Sequence, residues 1–324
     1  MQTTIKQTTM RAVRLAQPTP ASMVTLCDAP IPEVKPGWVL DKVKAFGLNH
    51  SEQILRLNEI QADYISKPII PGIECVGEIA DPSDSAFHVG QKVAALMGGM
   101  GRSFNGSYAE YALLPTHHVF AVESALDWAE MAAIPETYFT AWGSLFECLA
   151  LQANDVLLIR GATCALGYAA LQIAKAIGCT VVATTHKESK LPLLAGADKA
   201  LLDNGRLAAS LPGVTKALEL VGPKTLPDTL CCLEKGGIVC NTGILGGVYT
   251  LNGFDPIKDI PNGVYLTGFF SNYPTAETMR TIFRFLDEHR LKPAVGAKFA
   301  FENIREACQA LDSGSVNGKI VVTI

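Results

Sequence analysis

The sequence predicts an α/β fold in which a doubly wound parallel sheet is flanked by β-rich segments at both ends of the chain. Val156-Leu157-Leu158-Ile159 is a continuous apolar run of the length expected for a strand buried on both faces. It leads through the small-residue turn 161–167 into Leu166, Ala169, Ala170, Ile173, Ala174 and Ile177 at helical spacing. Gly178 stops that helix before a second apolar strand, 180–185. Residues 155–203 therefore read as one β-α-β-α-β run. The alternation continues with a strand at 218–221, a helix at 225–233 and a strand at 237–241, which is the second half of such a sheet.

The turn has the composition a dinucleotide requires. Small residues let N–H groups at the helix N-terminus approach a pyrophosphate, which the positive end of the helix dipole also attracts. Aligned on GxGxxG, the positions are Ala162, Cys164 and Gly167, so only the last is glycine. Ala and Cys still admit a close backbone, and a purely structural strand-turn-helix is the competing reading. Where an NAD-binding chain places Asp or Glu for the ribose, this one has Thr185-His186-Lys187-Glu188-Ser189-Lys190. Hydroxyls and cations suit a 2′-phosphate, which predicts NADPH in preference to NADH; a basic, solvated helix start is the alternative. The candidate cofactor residues of this stretch are Ala162, Thr163, Cys164, Ala165, Leu166, Gly167, Thr185, His186, Lys187 and Lys190.

A length of 324 residues suits two domains. With 48% hydrophobic and 18% charged residues and a net charge of −4, the chain offers no basic field for nucleic acid or a membrane surface, so electrostatics nominates no macromolecular partner. No apolar run reaches the roughly 20 residues of a membrane span. The polar start, residues 1–7, lacks the apolar core of a signal peptide, so a cytoplasmic location is expected. Nine cysteines without a CxxC pair predict reduced, buried thiols, with Cys231-Cys232 on a helix face.

The first 122 residues have a short-β texture, with strands expected at 10–15, 23–26, 38–45, 71–79, 90–96 and 107–114. Asn49 or Ser51 is placed to cap a helix that follows the third strand. A glycine-rich loop, 98–106, interrupts the later strands. Helical spacing appears at 128–134 and again after Pro135, and the tail predicts helices at 275–289 and 302–311 and a strand at 319–324. With β texture at both ends, the terminal pieces are expected to complete one discontinuous domain, 1–126 with 272–324, around a nucleotide domain, 127–271.

The order of several motifs resembles the medium-chain dehydrogenase/reductase superfamily, in its zinc-independent quinone oxidoreductase branch. They are Gly47-Leu48-Asn49-His50-Ser51-Glu52, Pro71-Gly72-Ile73-Glu74-Cys75-Val76-Gly77, Gly106-Ser107-Tyr108-Ala109-Glu110-Tyr111, Ile134-Pro135 with Thr140-Ala141-Trp142, the turn 161–167, and Gly318-Lys319-Ile320-Val321. The resemblance implies a GroES-like β-barrel domain beside a Rossmann domain, NADPH as hydride donor, a quinone or α,β-unsaturated carbonyl as acceptor, and a homodimer. It also implies Asn49 near the nicotinamide and the acceptor oxygen, Thr140 at the ribose, and further cofactor contacts at Val221, Gly243, Ile244, Phe270, Gly318 and Lys319. A helix cap and a buried helical hydroxyl are the bland readings of Asn49 and Thr140.

Zinc enzymes of the superfamily hold the metal with Cys and His at positions that match Asn49 and Ile73 here, and an isoleucine cannot ligate. His50, His117 and His118 remain, but adjacent histidines on a strand point to opposite faces. No metal is expected. Without a Lewis acid, hydride addition to a quinone or enone is easier than to a simple carbonyl, because the acceptor spreads the charge onto its own oxygen. Some quinone reductases carry tyrosines soon after the asparagine, where Ile54 and Ile60 stand here; Tyr64 is the nearest candidate proton donor, with packing as its alternative. A non-catalytic NADPH-binding sensor or structural relative is the other class of function left open.

Overall fold

The structure is a computed structural model that describes residues 8–211 and 213–324; the polar start, residues 1–7, lies outside the described residues. The chain forms two compact units, one running up to Glu136 and resuming at Asn272–Ile324, the other Thr137–Ser271. Strands come in the order β1 (Thr9–Val13), β2 (Leu26–Pro30), β3 (Trp38–Leu48), β4 (Glu74–Asp81), β5 (Lys92–Leu96), β6 (Tyr111–Pro115) and β7 (Val119–Ala121). Then follow β8 (Val156–Arg160), β9 (Thr180–Thr185), β10 (Lys199–Leu202), β11 (Val214–Glu219), β12 (Leu233–Asn241), β13 (Tyr265–Gly268), β14 (Val295–Ala300) and β15 (Lys319–Thr323). The helices are α1 (His50–Leu57), α2 (Trp128–Ala132), α3 (Pro135–Trp142), α4 (Ala165–Ala176), α5 (Leu226–Cys231), α6 (Pro256–Asp259), α7 (Ala276–Glu288) and α8 (Ile304–Ser313).

The first unit is a mixed sheet in the order β14-β15-β3-β4-β5-β7, with β6 also paired to β3 and a separate β1-β2 ribbon. The closing strand β15 lies antiparallel against β3, Ile320 opposite Leu48, so the tail is built into the sheet that begins the chain. Its core joins both ends: Phe46 and Leu55 are buried with Phe301, Ile304 and Val322. Helix α2 packs here too, Met131 and Ala132 sharing a cluster with Val76, Ala94 and Val321, so the first unit runs past 126 and ends within α3.

The second unit is an all-parallel sheet in the order β10-β9-β8-β11-β12-β13. Leu157, Leu158 and Ile159 are fully buried, as a strand covered on both faces requires. At the turn after β8, a Cβ on Gly167 would lie 2.4 Å from the Ala162 carbonyl oxygen and 2.6 Å from its Cα, so the helix meets the strand backbone through a glycine.

Three expectations need correction. Residues 23–26 do not form a strand: Pro20 caps a 3₁₀ turn, Ala21–Met23, and the strand starts at Leu26, where it pairs with Val13 of β1. The connection between β9 and β10 is the 3₁₀ segment Glu188–Leu194 and not an α-helix, because Pro192 inside it lacks the N–H an α-helix needs. All nine cysteines are free, as reduced thiols require, yet Cys27 and Cys231 are exposed. Cys231 ends α5, and Cys232, next to it, is buried. Among the described residues no helix is long and apolar enough to cross a membrane.

Asp41, on β3, is fully buried; the Cys75 thiol donates to its Oδ2 at 3.4 Å, while Oδ1 has no partner among the described residues. Burial pushes its pKa from 3.8 up to about 7, against the smaller opposing effect of the Cys75 hydrogen bond. The folded carboxyl thus holds its proton more tightly than the unfolded one, so its contribution to stability is full below 3.8 and is lost as pH rises to about 7. Melting temperatures should fall with rising pH across that window, and Asp41→Asn should flatten the slope. An unchanged slope would place the titration elsewhere. For Gly167→Ala, forcing a Cβ against backbone should cost about 1–3 kcal/mol in a thermal or urea melt. Parent-like stability would show that α4 can move aside.

Candidate functional site

In the second unit the sheet order reverses between β8 and β11: β9 lies on one side of β8 and β11 on the other. The carboxyl ends of those two strands form the switch point where open α/β sheets bind ligands. The turn is held from β9, whose Thr184 accepts from Gly161 N–H through its hydroxyl (3.3 Å) and from Ala162 N–H through its carbonyl (2.8 Å). Gly161 needs its positive φ of 84° to start the turn. Cys164 caps α4, its sulfur accepting from Gly167 N–H at 3.3 Å. Ala162 is fully buried with its N–H spent, and the turn's next donors are those of Thr163, Ala165 and Leu166, at the start of a helix whose first N–H groups lack intrahelical acceptors.

Beyond β9, Thr185 is buried and accepts from Lys187 N–H at 3.3 Å, while His186 and Lys187 are exposed. Lys190 is held below the usual lysine pKa, first by partial burial and then by the Lys187 charge, with Cys164 close enough to oppose this. Two ammonium groups that repel each other beside the helix N-terminus would both gain from a bound anion. These residues fit the phosphates of a dinucleotide.

The loops after β11 and β12 close on the same end of the sheet. A Cβ on Gly161 would touch Val221 and Leu245, and one on Gly243 would lie 2.2 Å from the Leu220 carbonyl oxygen. Thr242 and Gly243 N–H groups both reach the Glu219 carbonyl, and the Thr242 hydroxyl is 2.9 Å from that of Ser144, which donates to the Thr140 carbonyl at 2.7 Å. Thr140, Val221, Gly243 and Ile244 are thereby drawn to the end of the sheet that holds the turn. Phe270 is largely exposed, and Phe269 packs edge-on to Phe139.

A charged network beneath the turn is not evident from the sequence. Arg160, fully buried, donates to both oxygens of Asp203 (2.7 and 2.9 Å), to Asp228 (2.8 Å) and to the Thr229 hydroxyl (2.9 Å). Glu219 accepts from Val221 and Gly222 N–H groups at 2.7 and 2.9 Å and from Thr229 at 2.5 Å. The available signal was a cation ending an otherwise apolar strand.

In the first unit Asn49 occupies the N-cap of α1, and Glu52 Oε2 accepts its backbone N–H at 2.7 Å. Its side chain reaches across strands: Nδ2 donates to Glu74 Oε1 at 2.8 Å, and Oδ1 accepts from Lys319 Nζ at 2.5 Å. Lys319 and Glu74 form an ion pair at 2.6 Å, with side chains 3% and 0% exposed. Glu74 Oε2 accepts from Glu136 N–H at 2.8 Å. Burial would discharge Lys319, but the carboxylates of Glu74, Glu136 and Glu52 override it and raise its pKa. Glu52, buried, has its pKa pushed up to about 7 by desolvation. Gly318, at φ 90°, turns the chain into β15; a Cβ there would meet the Ala294 carbonyl oxygen at 2.5 Å.

Tyr64 belongs to a different network. Its exposed hydroxyl donates to Glu59 at 2.7 Å, a bond that raises its pKa, and Arg102 grips the same carboxylate. Ile73, at the expected histidine position, is buried with its N–H on Glu52 at 3.1 Å. His117 and His118 lie on a 3₁₀ turn, Thr116–His118, and not on a strand; the tighter turn brings their rings to 4.4 Å where a strand would oppose them. Among the described residues no group of three or more His, Cys, Asp or Glu is arranged to hold a metal ion.

Two family models match: an alcohol dehydrogenase GroES-like domain over residues 35–124 and a zinc-binding dehydrogenase domain over residues 195–322. Human quinone oxidoreductase is 29% identical over 335 aligned residues, spanning 98% of this chain and 99% of that protein. The quinone oxidoreductase of Coxiella burnetii superposes with a TM-score of 0.84 at 23% identity, over 98% of this chain and 99% of the other. The mycobacterial protein Rv1454c, solved as a complex with NADPH, does so with a TM-score of 0.84 at 22% identity, over 97% of this chain and 100% of the other. At such identities the structures establish the fold, GroES-like and Rossmann. The chain belongs to the medium-chain dehydrogenase/reductase superfamily, in its quinone oxidoreductase branch, and is an oxidoreductase of this pyridine-nucleotide-binding family.

Proposed function

We propose that this protein reduces a quinone or an α,β-unsaturated carbonyl with NADPH and without zinc. The observation that supports this reading is the Asn49–Glu74–Lys319 cluster with apolar Ile73 nearby: the resemblance matches the zinc enzymes' Cys and His positions to Asn49 and Ile73, and here the Asn49 amide is held by Glu74 and Lys319. NADPH, when bound, supplies a hydride. The chain's own residues bind and orient. The N–H groups of Thr163, Ala165 and Leu166 and the cations Lys187 and Lys190 would receive the phosphates, with Ala162, Cys164 and Gly167 shaping the turn and His186 alongside. Asn49 has an N–H only loosely held by Glu52, at 3.5 Å, as capacity for a nicotinamide or acceptor group. The Tyr64 hydroxyl, already donated to Glu59, is a poor proton source, and we assign proton delivery to solvent. A cytoplasmic homodimer fits the resemblance.

If the cations read the 2′-phosphate, NADPH should bind at least about tenfold tighter than NADH, since charge-assisted hydrogen bonds contribute about 1.5–3 kcal/mol each. Lys190→Ala should weaken NADPH and spare NADH in a fluorescence titration. Equal affinities in the parent would refute the assignment.

NADPH oxidation with a panel of quinones and enones, with and without chelator, tests the reaction. Turnover should be unaffected by chelator, and Asn49→Ala should slow single-turnover hydride transfer by about 10²–10³-fold. Losing only a cap would cost about 0.5–2 kcal/mol of stability and leave the rate intact. NADPH binding with no turnover on any acceptor would favour a non-catalytic sensor.

A further inference from the structure

We propose that the buried Lys319–Glu74 pair is a positioning device that locks the Asn49 amide in one orientation; this rests on the role assigned to Asn49 above. The two ends of a primary amide have nearly the same shape, so packing alone does not choose between them. Charge does. Oδ1 meets the Lys319 ammonium at 2.5 Å and Nδ2 meets the Glu74 carboxylate at 2.8 Å. A flipped amide would set N–H against ammonium and C=O against carboxylate.

The clamp is itself anchored on every side. Glu74 Oε2 is held by Glu136 N–H, and Glu52 holds Asn49 N–H through Oε2 and Ile73 N–H through Oε1. Gly47, on β3, makes room for it: a Cβ there would stand 2.3 Å from Lys319 Cε and 2.5 Å from Glu74 Oε1. Glu52, Glu74 and Glu136 are the carboxylates facing the Lys319 ammonium, and they keep it charged despite burial. A buried ion pair is a poor source of stability compared with apolar groups of the same volume. Orientation of the amide both partners touch accounts for it here.

The test compares Asn49→Ala, the charge-neutral double variant Lys319→Met/Glu74→Gln, and the triple variant. Each is assayed for melting temperature, NADPH affinity and single-turnover hydride transfer. The double variant removes both charges of the pair together, and Glu52, its pKa already pushed up to about 7, can take up a proton; it should fold and bind NADPH like the parent, while hydride transfer slows about 10–100-fold, as when partners behind a site residue are lost. Adding it to Asn49→Ala should slow transfer little further, because both act through one amide. A double variant as fast as the parent, with Asn49→Ala slow, would overturn the clamp and leave the Asn49 reading intact. Asn49→Ala at the parent rate would instead overturn that reading. Loss of NADPH affinity in the double variant would make Lys319 a direct cofactor contact and refute a positioning role. Should the double variant fail to fold, the equally charge-neutral Lys319→Gln/Glu74→Gln, whose amides can turn to suit either orientation of Asn49, carries the same expectations.

Discussion

The first unit depends on an ammonium with no access to water. Lys319 enters at the start of the last strand, and its partners belong to β4, to the residue between β3 and α1, and through Glu74 to the backbone of α3. Burying both charges costs several kcal/mol each, offset only where geometry and additional hydrogen bonds are good. That condition is met by short distances on both sides and a glycine that leaves room. Because the charge sits on β15, displacing the tail takes the cation away from Glu74, so the pair ties the discontinuous halves of the unit together.

Arg160 has the corresponding place in the second unit. Its guanidinium satisfies Asp203, Asp228 and Thr229 at once, joining the segments that follow β8 and β10 to helix α5. Glu219 does the same for the loop after β11. Both residues end parallel strands at the switch point, so the backbone of the turn is supported by fixed charges beside it. Small residues let the turn come close; the network keeps it in place.

The zinc-binding description of one matching family model and the absence of cysteine and histidine at positions 49 and 73 are compatible, since the fold and the metal are separate properties. In this chain a lysine, two glutamates and an asparagine meet around position 49 and hold one another in place.

The sequence by itself determined the parallel sheet, the helix α4 and its small-residue turn, the return of the tail to the first unit and the family, because each is written in local periodicity or in short motifs in a fixed order. It misread residues 23–26 and the β9–β10 connection, where strand pairing in one case and Pro192 in the other outweighed pattern. It singled out Asn49 but left cap and site as equal readings; position 49 is at a cap in sequence, and only the approach of β4 and β15 shows what the side chain touches. Lys319 was expected at the cofactor, and motif order could not show that its ammonium also meets Glu74 and Asn49. Arg160 gave no decisive signal at all. Periodicity reports which face of an element is apolar, but an ion pair between residues 74 and 319, or 160 and 203, exists only once the chain has brought distant segments together, and that placement was decided by tertiary structure alone.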